Sequence, residues 1–364
     1  MSEKIWSRLI QLIGKAGIVL PVSNTLIEIL QTIITEEQAK FLQIFKKPSL
    51  IIDRIKQKTD LDENELEKML KDLSYEGVIS SFPDEDTGIM VYNLNPFVPG
   101  IFEYTLMRGG TSEKEKKLAN LYEKLFDELK QLVQSNYDTF IPQFKSAPPG
   151  TRIVPVEEQV DIQQQIVLPY EEITKILEKY DTFGVGTCYC RHKQDLIADP
   201  CKLDAPRENC LIFGKYARFL IEHEFIKPIS KEDALNTLKE SENLGLVHTA
   251  FHLPDDPEYN ENAICSCCKC CCGTLELYHR GLAAMNTLTS YLAKVNEETC
   301  VGCGTCVEKC PMEAIDLEDT VAIVNEDRCI GCGICAHHCP EESMTLNRTG
   351  LRNVFVPPPR LINV

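Results

Sequence analysis

The stretch Cys300-Val301-Gly302-Cys303-Gly304-Thr305-Cys306-Val307-Glu308-Lys309-Cys310-Pro311 recurs as Cys329-Ile330-Gly331-Cys332-Gly333-Ile334-Cys335-Ala336-His337-His338-Cys339-Pro340. Both copies have the form C-x-x-C-x-x-C-x-x-x-C-P, so the pair is an internal repeat. Three thiols this close can wrap three corners of a four-iron cubane from one tight loop. The fourth corner faces away and needs a thiolate from the partner run. Gly302, Gly304, Gly331 and Gly333 let the backbone curl around the centre. Pro311 and Pro340 redirect the chain after the last thiol.

The rest of the cysteine pattern points the same way. All 18 cysteines lie at or beyond Cys188 in a chain of 364 residues. A disulfide scaffold would be short and secreted, whereas this chain is long and clusters its thiols as C-x-x-C runs, which favours metal or iron–sulfur ligation. The first twenty residues scatter Lys4, Arg8 and Lys15 among apolar residues, so no signal peptide is expected. No apolar run is long enough for a membrane span, and a cytoplasmic protein is expected. The net charge of −17 argues against a general nucleic-acid binder. It suits a protein that docks on basic surfaces.

The repeat resembles the two-cluster bacterial-type ferredoxin domain over about residues 289–347. That resemblance implies that Cys300, Cys303, Cys306 and Cys339 hold one [4Fe–4S] cluster, and that Cys329, Cys332, Cys335 and Cys310 hold the other. Zinc sites use paired C-x-x-C motifs without proline-terminated triplets. Residues 297–347 contain eleven acids against Lys309 and Arg328, so a redox-partner protein is expected to dock on an acidic ferredoxin surface.

Ten further cysteines occupy the middle of the chain: Cys188, Cys190, Cys201, Cys210, Cys265, Cys267, Cys268, Cys270, Cys271 and Cys272. The last six fall within eight residues, more than one cubane can take. In an extended strip, Cys265, Cys267 and Cys271 would face one way, and Cys268, Cys270 and Cys272 the other. Such a strip would be shared by two centres, with Cys188, Cys190, Cys201 and Cys210 completing them as one or two additional iron–sulfur clusters. Zinc or copper binding, and free redox-active thiols, are the alternatives. His192, His248 and His252 are weaker candidate ligands, and Arg191, His192 and Lys193 are either a solvated basic patch or cations beside an anionic cluster. Together with Thr187–His192, Cys210–Gly214 and Gly245–His248, these cysteines resemble multi-cluster iron–sulfur proteins of anaerobic bacteria and archaea, in which such a middle domain precedes a ferredoxin. Cys271-Cys272-Gly273 also resembles the Cys-Cys-Gly motif of heterodisulfide reductase subunits, although the rest of that pattern is absent.

Upstream, helices are expected near 24–34, 36–45, 49–57 and from Asp62, with Leu66, Met69, Leu70 and Leu73 on one face. Strands at 78–82 and 89–94 flank the turn-rich segment 83–88. Three helices and a hairpin resemble a winged-helix domain. Its third helix opens with Asp62, Glu63, Glu65 and Glu67, which would repel phosphates, so a docking or structural module is expected. A long helix from Thr111 or Ser112 to Val133 and a proline-rich linker at 141–155 follow. Beyond them, a helix at 169–180, a strand at 183–186 and helices at about 210–223 and 231–243 are expected. Ser230-x-x-Asp233 forms a capping-box pattern before the last of these.

The expected fold is α+β and multidomain. It comprises a winged-helix-like domain (1–110), a helix and linker (111–150), a Cys-rich α/β middle domain (151–288), a two-cluster ferredoxin domain (289–347) and a tail (348–364). The chain has no GxGxxG, Walker loop or nucleophile elbow. An electron-transfer protein serving a low-potential partner is therefore expected, more an electron carrier than a stand-alone enzyme. The alternatives are a redox-sensing winged-helix regulator and a reductase with a catalytic middle-domain cluster.

Overall fold

The computed structural model describes residues 2–84, 86–160, 168, 171–252 and 261–361. Glu85 of the wing-like loop, Pro169 and the side chain of His252 lie outside the described residues. The chain divides into two compact units, one of Met1–Asp127, Gly186–Asp199 and Lys215–Lys227, the other of Glu128–Val185, Pro200–Gly214 and Pro228–Val364. No helix among the described residues is long and apolar enough to cross a membrane.

In the first unit, α1 (Ser2–Gly14), α2 (Asn24–Ile33) and α3 (Glu36–Phe41) precede a short strand, β1 (Ser49–Ile51), and α4 (Ile52–Lys56). Where the spacing predicts one helix over 49–57, the chain thus forms a strand and then a helical turn. The difference comes from β3, which supplies a partner for Ser49–Ile51 from forty or more residues downstream. Next come α5 (Glu63–Tyr75), β2 (Ile79–Pro83), β3 (Met90–Leu94) and α6 (Phe102–Met107). β2 and β3 form a hairpin, and the sheet order is β1-β3-β2. Asp62 caps α5 in a reciprocal box with Glu65. Trp6, Leu9, Ile29, Leu30, Leu42 and Leu106 are buried in this unit, a hydrophobic core that needs no metal.

α7 (Glu113–Ser135) is followed by α8 (Tyr137–Ser146) and β4 (Thr151–Val154). The proline-rich stretch therefore holds the end of a helix and a strand, joined by a short connection. α9 (Ile173–Glu178), β5 (Phe183–Thr187) and α10 (Tyr189–Leu196) come next, then β6 (Glu208–Phe213), α11 (Gly214–Glu222), β7 (Lys227–Ile229) and α12 (Lys231–Asn243). The apolar run Cys210–Phe213 is a strand instead of the start of a helix, and Gly214 turns with a φ of +60°. α12 starts on the expected box, with the Ser230 hydroxyl accepting from the Asp233 N–H.

The second unit continues with β8 (Val247–His252), β9 (Glu261–Cys267), α13 (Leu275–His279), β10 (Met285–Val295), α14 (Thr305–Lys309), β11 (Ile315–Glu318), β12 (Val321–Val324), α15 (Ile334–His337) and β13 (Met344–Val356). Its mixed sheet has the order β13-β10-β4-β8-β9-β6-β5-β7. β10 and β13 pair antiparallel from Met285↔Val356 to Val295↔Met344. The repeat is thus an excursion between two strands that clamp its ends, and residues 348–356 belong to the sheet instead of a tail. Within the excursion, β11 and β12 form a hairpin between the two cysteine runs.

One ion pair locks the sheet interior. Arg152 on β4 donates from Nη1 to Glu261 Oε1 at 3.1 Å, with side-chain exposures of 2% and 0%. Lys179 approaches the other carboxylate oxygen at 3.4 Å. Removing Arg152 leaves the buried Glu261 carboxylate with only the partly exposed Lys179, so Arg152→Met is expected to cost about 3 kcal/mol, the low end for a broken buried pair. The paired change Arg152→Met/Glu261→Leu should cost clearly less. Guanidinium unfolding of both variants checks this, and equal losses would contradict it.

Candidate metal centres

The two cysteine runs fold alike because their glycines fall at equivalent places. Gly302 and Gly331 have φ of +68° and +66°, and Gly304 and Gly333 both have +81°. The last two are the residues just before α14 and α15. At Gly331 a Cβ would stand 2.2 Å from the Tyr291 carbonyl oxygen, and at Gly302 2.3 Å from that of Thr320. Only glycine allows both this conformation and this approach.

The first three thiols of one run share a cavity with the last thiol of the other. Cys300, Cys303, Cys306 and Cys339 line it together with Gly302, Leu317 and Ala322. Cys310 lies among Cys329, Cys332 and Cys335. Burial pushes the thiols of Cys332 and Cys335 up, and the charges of Cys310 and Cys329 add to the effect. The fourth cysteine of each run receives the same hydrogen bond. The Ala314 N–H donates to Cys310 Sγ at 3.3 Å, and the Ser343 N–H to Cys339 Sγ at 3.3 Å. Such bonds favour the thiolate and help to set a cluster's potential.

The two sets differ in exposure. Cys303 is exposed, and Cys300 and Cys339 are half-buried; Cys310, Cys329, Cys332 and Cys335 are all buried. Three supports of the buried set have no signature in the motif. Val156 donates its N–H to the Cys332 carbonyl at 3.1 Å. The Arg352 guanidinium reaches the Cys329 carbonyl. Tyr291 presents its carbonyl to Gly331. All three come from outside the repeat, so only the fold brings them there.

The middle cysteines separate into two groups, but not by simple alternation. β9 ends at Cys267, and the Cys272 N–H then bonds the Cys268 carbonyl at 3.2 Å. This helical turn changes the phase of the strip, so Cys271 joins Cys268 and Cys270, and Cys272 returns to Cys267. The Sγ atoms of Cys201, Cys268, Cys270 and Cys271 lie within 4.8 Å of one another. Cys201 is 3.9 Å from Cys268 and 3.7 Å from Cys270, and Cys270 is 3.5 Å from Cys271. Hydrogen bonds from Cys268, Cys270 and Cys271 hold the Cys201 thiol well below its usual range.

In the other group, Cys267 and Cys272 are buried within the dicluster core, with Cys265 packed against it. A hydrogen bond from Cys267 lowers the Cys272 thiol to about 7, and backbone N–H groups that include Thr274, at 3.3 Å, add to this. Cys210 on β6 stands directly opposite Cys265 on β9. Cys188 and Cys190 belong to the first unit, at the start of α10.

The candidate histidines have other partners. His248 sits 3.2 Å from Glu242 and 3.3 Å from Ser266 Oγ, and His192 Nε2 lies 2.8 Å from the Gly110 carbonyl. Lys193 pairs with Glu123, so it is a buried structural cation, not a solvated patch.

Residues 293–346 match the family model of the 4Fe-4S dicluster domain. Over 28 residues the chain is 57% identical to a probable ferredoxin of Methanosarcina thermophila, a match that covers 8% of this chain and 48% of that protein. The chain thus spans about half the length of the relative it matches. No solved structure matches the chain. The residues present fit the group: eight thiols in two sets, left-handed glycines closing both loops, and backbone donors on sulfur. The tetrad at Cys201 is a separate group of four thiols that could hold a metal ion. Residues 293–346 form a ferredoxin-type 4Fe-4S dicluster domain, and this domain carries two [4Fe–4S] clusters.

Proposed function

We propose that the chain is an electron-transfer protein whose dicluster domain exchanges electrons with a low-potential redox partner. The observation that carries this reading is the unequal exposure of the two thiol sets. In the proposed assignment, Cys300, Cys303, Cys306 and Cys339 hold the outer cluster, and Cys329, Cys332, Cys335 and Cys310 hold the inner one. When bound, each cluster takes up and returns one electron. The chain's own residues set where that exchange is open. Around the outer set, Val301 and Leu317 are exposed at 60% and 43%, which leaves apolar contact area beside Cys303. All eleven acids of 297–347 are exposed, and only some are neutralised, Glu313 by Lys269 and Glu326 by Lys294. An apolar patch within acidic surroundings suits a partner that is basic at its rim.

Residues 36–94 support a winged-helix-like reading through the order helix, strand, helix, helix, hairpin and the sheet order β1-β3-β2. The acids that open α5 have structural work. Asp62 and Glu65 form the capping box, and Glu63 pairs with Lys56 at 3.0 Å. Negative charge at a helix N-terminus is also favoured by the helix dipole. This favours a docking or structural module over a DNA reader.

The test is electron delivery from the reduced full chain to cytochrome c, a basic redox protein, by stopped flow. The rate should fall by about tenfold or more as ionic strength rises from ~0.02 to ~0.5 M. Neutralising Glu341 and Glu342 as E341Q/E342Q should flatten that dependence. A rate indifferent to salt and to both substitutions would sink the docking surface.

A further inference from the structure

We propose that Cys201, Cys268, Cys270 and Cys271 form a site for a single divalent metal ion, iron or zinc, held by four thiolates in a tetrahedron. This inference is independent of the electron-transfer reading. A metal–thiolate bond of about 2.3 Å gives a tetrahedron with sulfur–sulfur edges of about 3.8 Å. Three of the separations, 3.9, 3.7 and 3.5 Å, match that edge, and all four sulfurs lie within 4.8 Å of one another. In a cubane each thiolate binds its own iron, and the inorganic core holds the sulfurs farther apart. The dicluster domain is an internal control. Among the described residues, no other three or more Cys, His, Asp or Glu groups close to 4.8 Å, the eight dicluster thiols included.

The surroundings are those of a closed site. Cys201, Cys268 and Cys271 are buried against Ala205 and Leu246, with Cys270 at the edge. The turn that brings three of the four thiols together is fixed by the bond from the Cys272 N–H to the Cys268 carbonyl, and the loop that brings the fourth by the bond from the Asp204 N–H to the Cys201 carbonyl at 3.1 Å. Backbone N–H groups of Ala205 and Lys202 lie against the Cys201 and Cys270 sulfurs. Four soft thiolates select zinc or iron over hard cations. The bound ion would clamp the loop at 201–205 to the turn at 268–271.

The test compares the anaerobically purified full chain with its Cys268→Ser/Cys270→Ser variant, measuring iron and zinc by mass spectrometry and acid-labile sulfide in the same samples. The variant should lose about one ion per chain with sulfide unchanged. Loss of one zinc identifies a redox-silent clamp, and loss of one iron a redox-active tetrathiolate; either supports the site. Loss of about four irons with about four sulfides would overturn it, as would no loss of metal. The EPR signal of the reduced dicluster reports whether the variant is folded. Should that signal vanish, wild-type chain produced with cobalt decides. About one cobalt per chain with the ligand-field bands of a tetrahedral tetrathiolate supports the proposal, and their absence overturns it.

Discussion

Stripping iron from the full chain with a chelator is expected to unfold the excursion between β10 and β13 while leaving α1–α6 folded. The reason is the composition of the two cores. Five of the excursion's buried side chains are cysteines, and the other buried hydrophobics are few: Met312, Ile315, Ile330 and Ile334 with Ala314, Ala322 and Ala336. Once the centres are gone, the thiols of each set have no common partner to hold them. Ligation of a metal centre in a small domain is folding free energy, on the order of 10 kcal/mol. The first unit lacks all eight dicluster thiols and buries Trp6, Leu9, Ile29 and Leu30. Hydrogen exchange should therefore show protection lost across residues 300–343 and retained across α1, α2 and α5. Protection unchanged in both regions would mean that the cysteine loops hold themselves together.

The second large effect is expected at Gly331. An alanine there would take a φ of +66° and place its Cβ 2.2 Å from the Tyr291 carbonyl oxygen and 2.6 Å from Thr289 Oγ1. Tyr291 is on β10, inside the sheet, and cannot retreat. Gly331→Ala should cost about 4 kcal/mol or more, in the range reserved for trapped strain, and should abolish loading of the inner cluster. Gly302→Ala faces the Thr320 carbonyl at 2.3 Å, but Thr320 lies in the tight turn between β11 and β12, which can shift. Its effect should be smaller and confined to the outer cluster. Gly350 has a φ of +82° and nothing within 4 Å of a Cβ. Gly350→Ala should then cost only about 1–2 kcal/mol, the conformational strain alone, with iron content unchanged. Iron analysis and thermal unfolding of the three variants check the ranking, and equal behaviour would contradict it.

What the sequence made legible was local. The repeat, its glycines and its prolines announce the two loops because each loop is closed by residues within a few positions. The same holds for the caps of α5 and α12, where Asp62 with Glu65 and Ser230 with Asp233 satisfy backbone groups three residues away. What escaped was set by distant partners. Ser49–Ile51 becomes a strand only because β3 pairs with it, and residues 348–356 become sheet only because β10 does. Arg352 and Val156 support the inner cysteines from opposite ends of the second unit's chain, with no motif to mark them. The cysteine strip shows the limit most clearly. Alternation assigns Cys271 and Cys272 to the wrong groups, because one i→i+4 hydrogen bond after Cys267 shifts the phase. The separation of the strip into two groups was nonetheless readable from six thiols in eight residues.

Residues 293–346 carry two [4Fe–4S] clusters, and in the proposed ligation the fourth thiolate of each comes from the other run. The most direct test is iron, acid-labile sulfide and EPR of the dithionite-reduced full chain, with and without Cys310→Ser. The wild-type chain should hold at least about eight irons with matching sulfide and show two magnetically coupled [4Fe–4S] signals. Cys310→Ser should perturb the signal of the inner, Cys329–Cys335 cluster and leave the outer one intact. Zinc without sulfide in this domain would contradict the two clusters, and a Cys310→Ser change that falls on the outer cluster would contradict the crossed ligation.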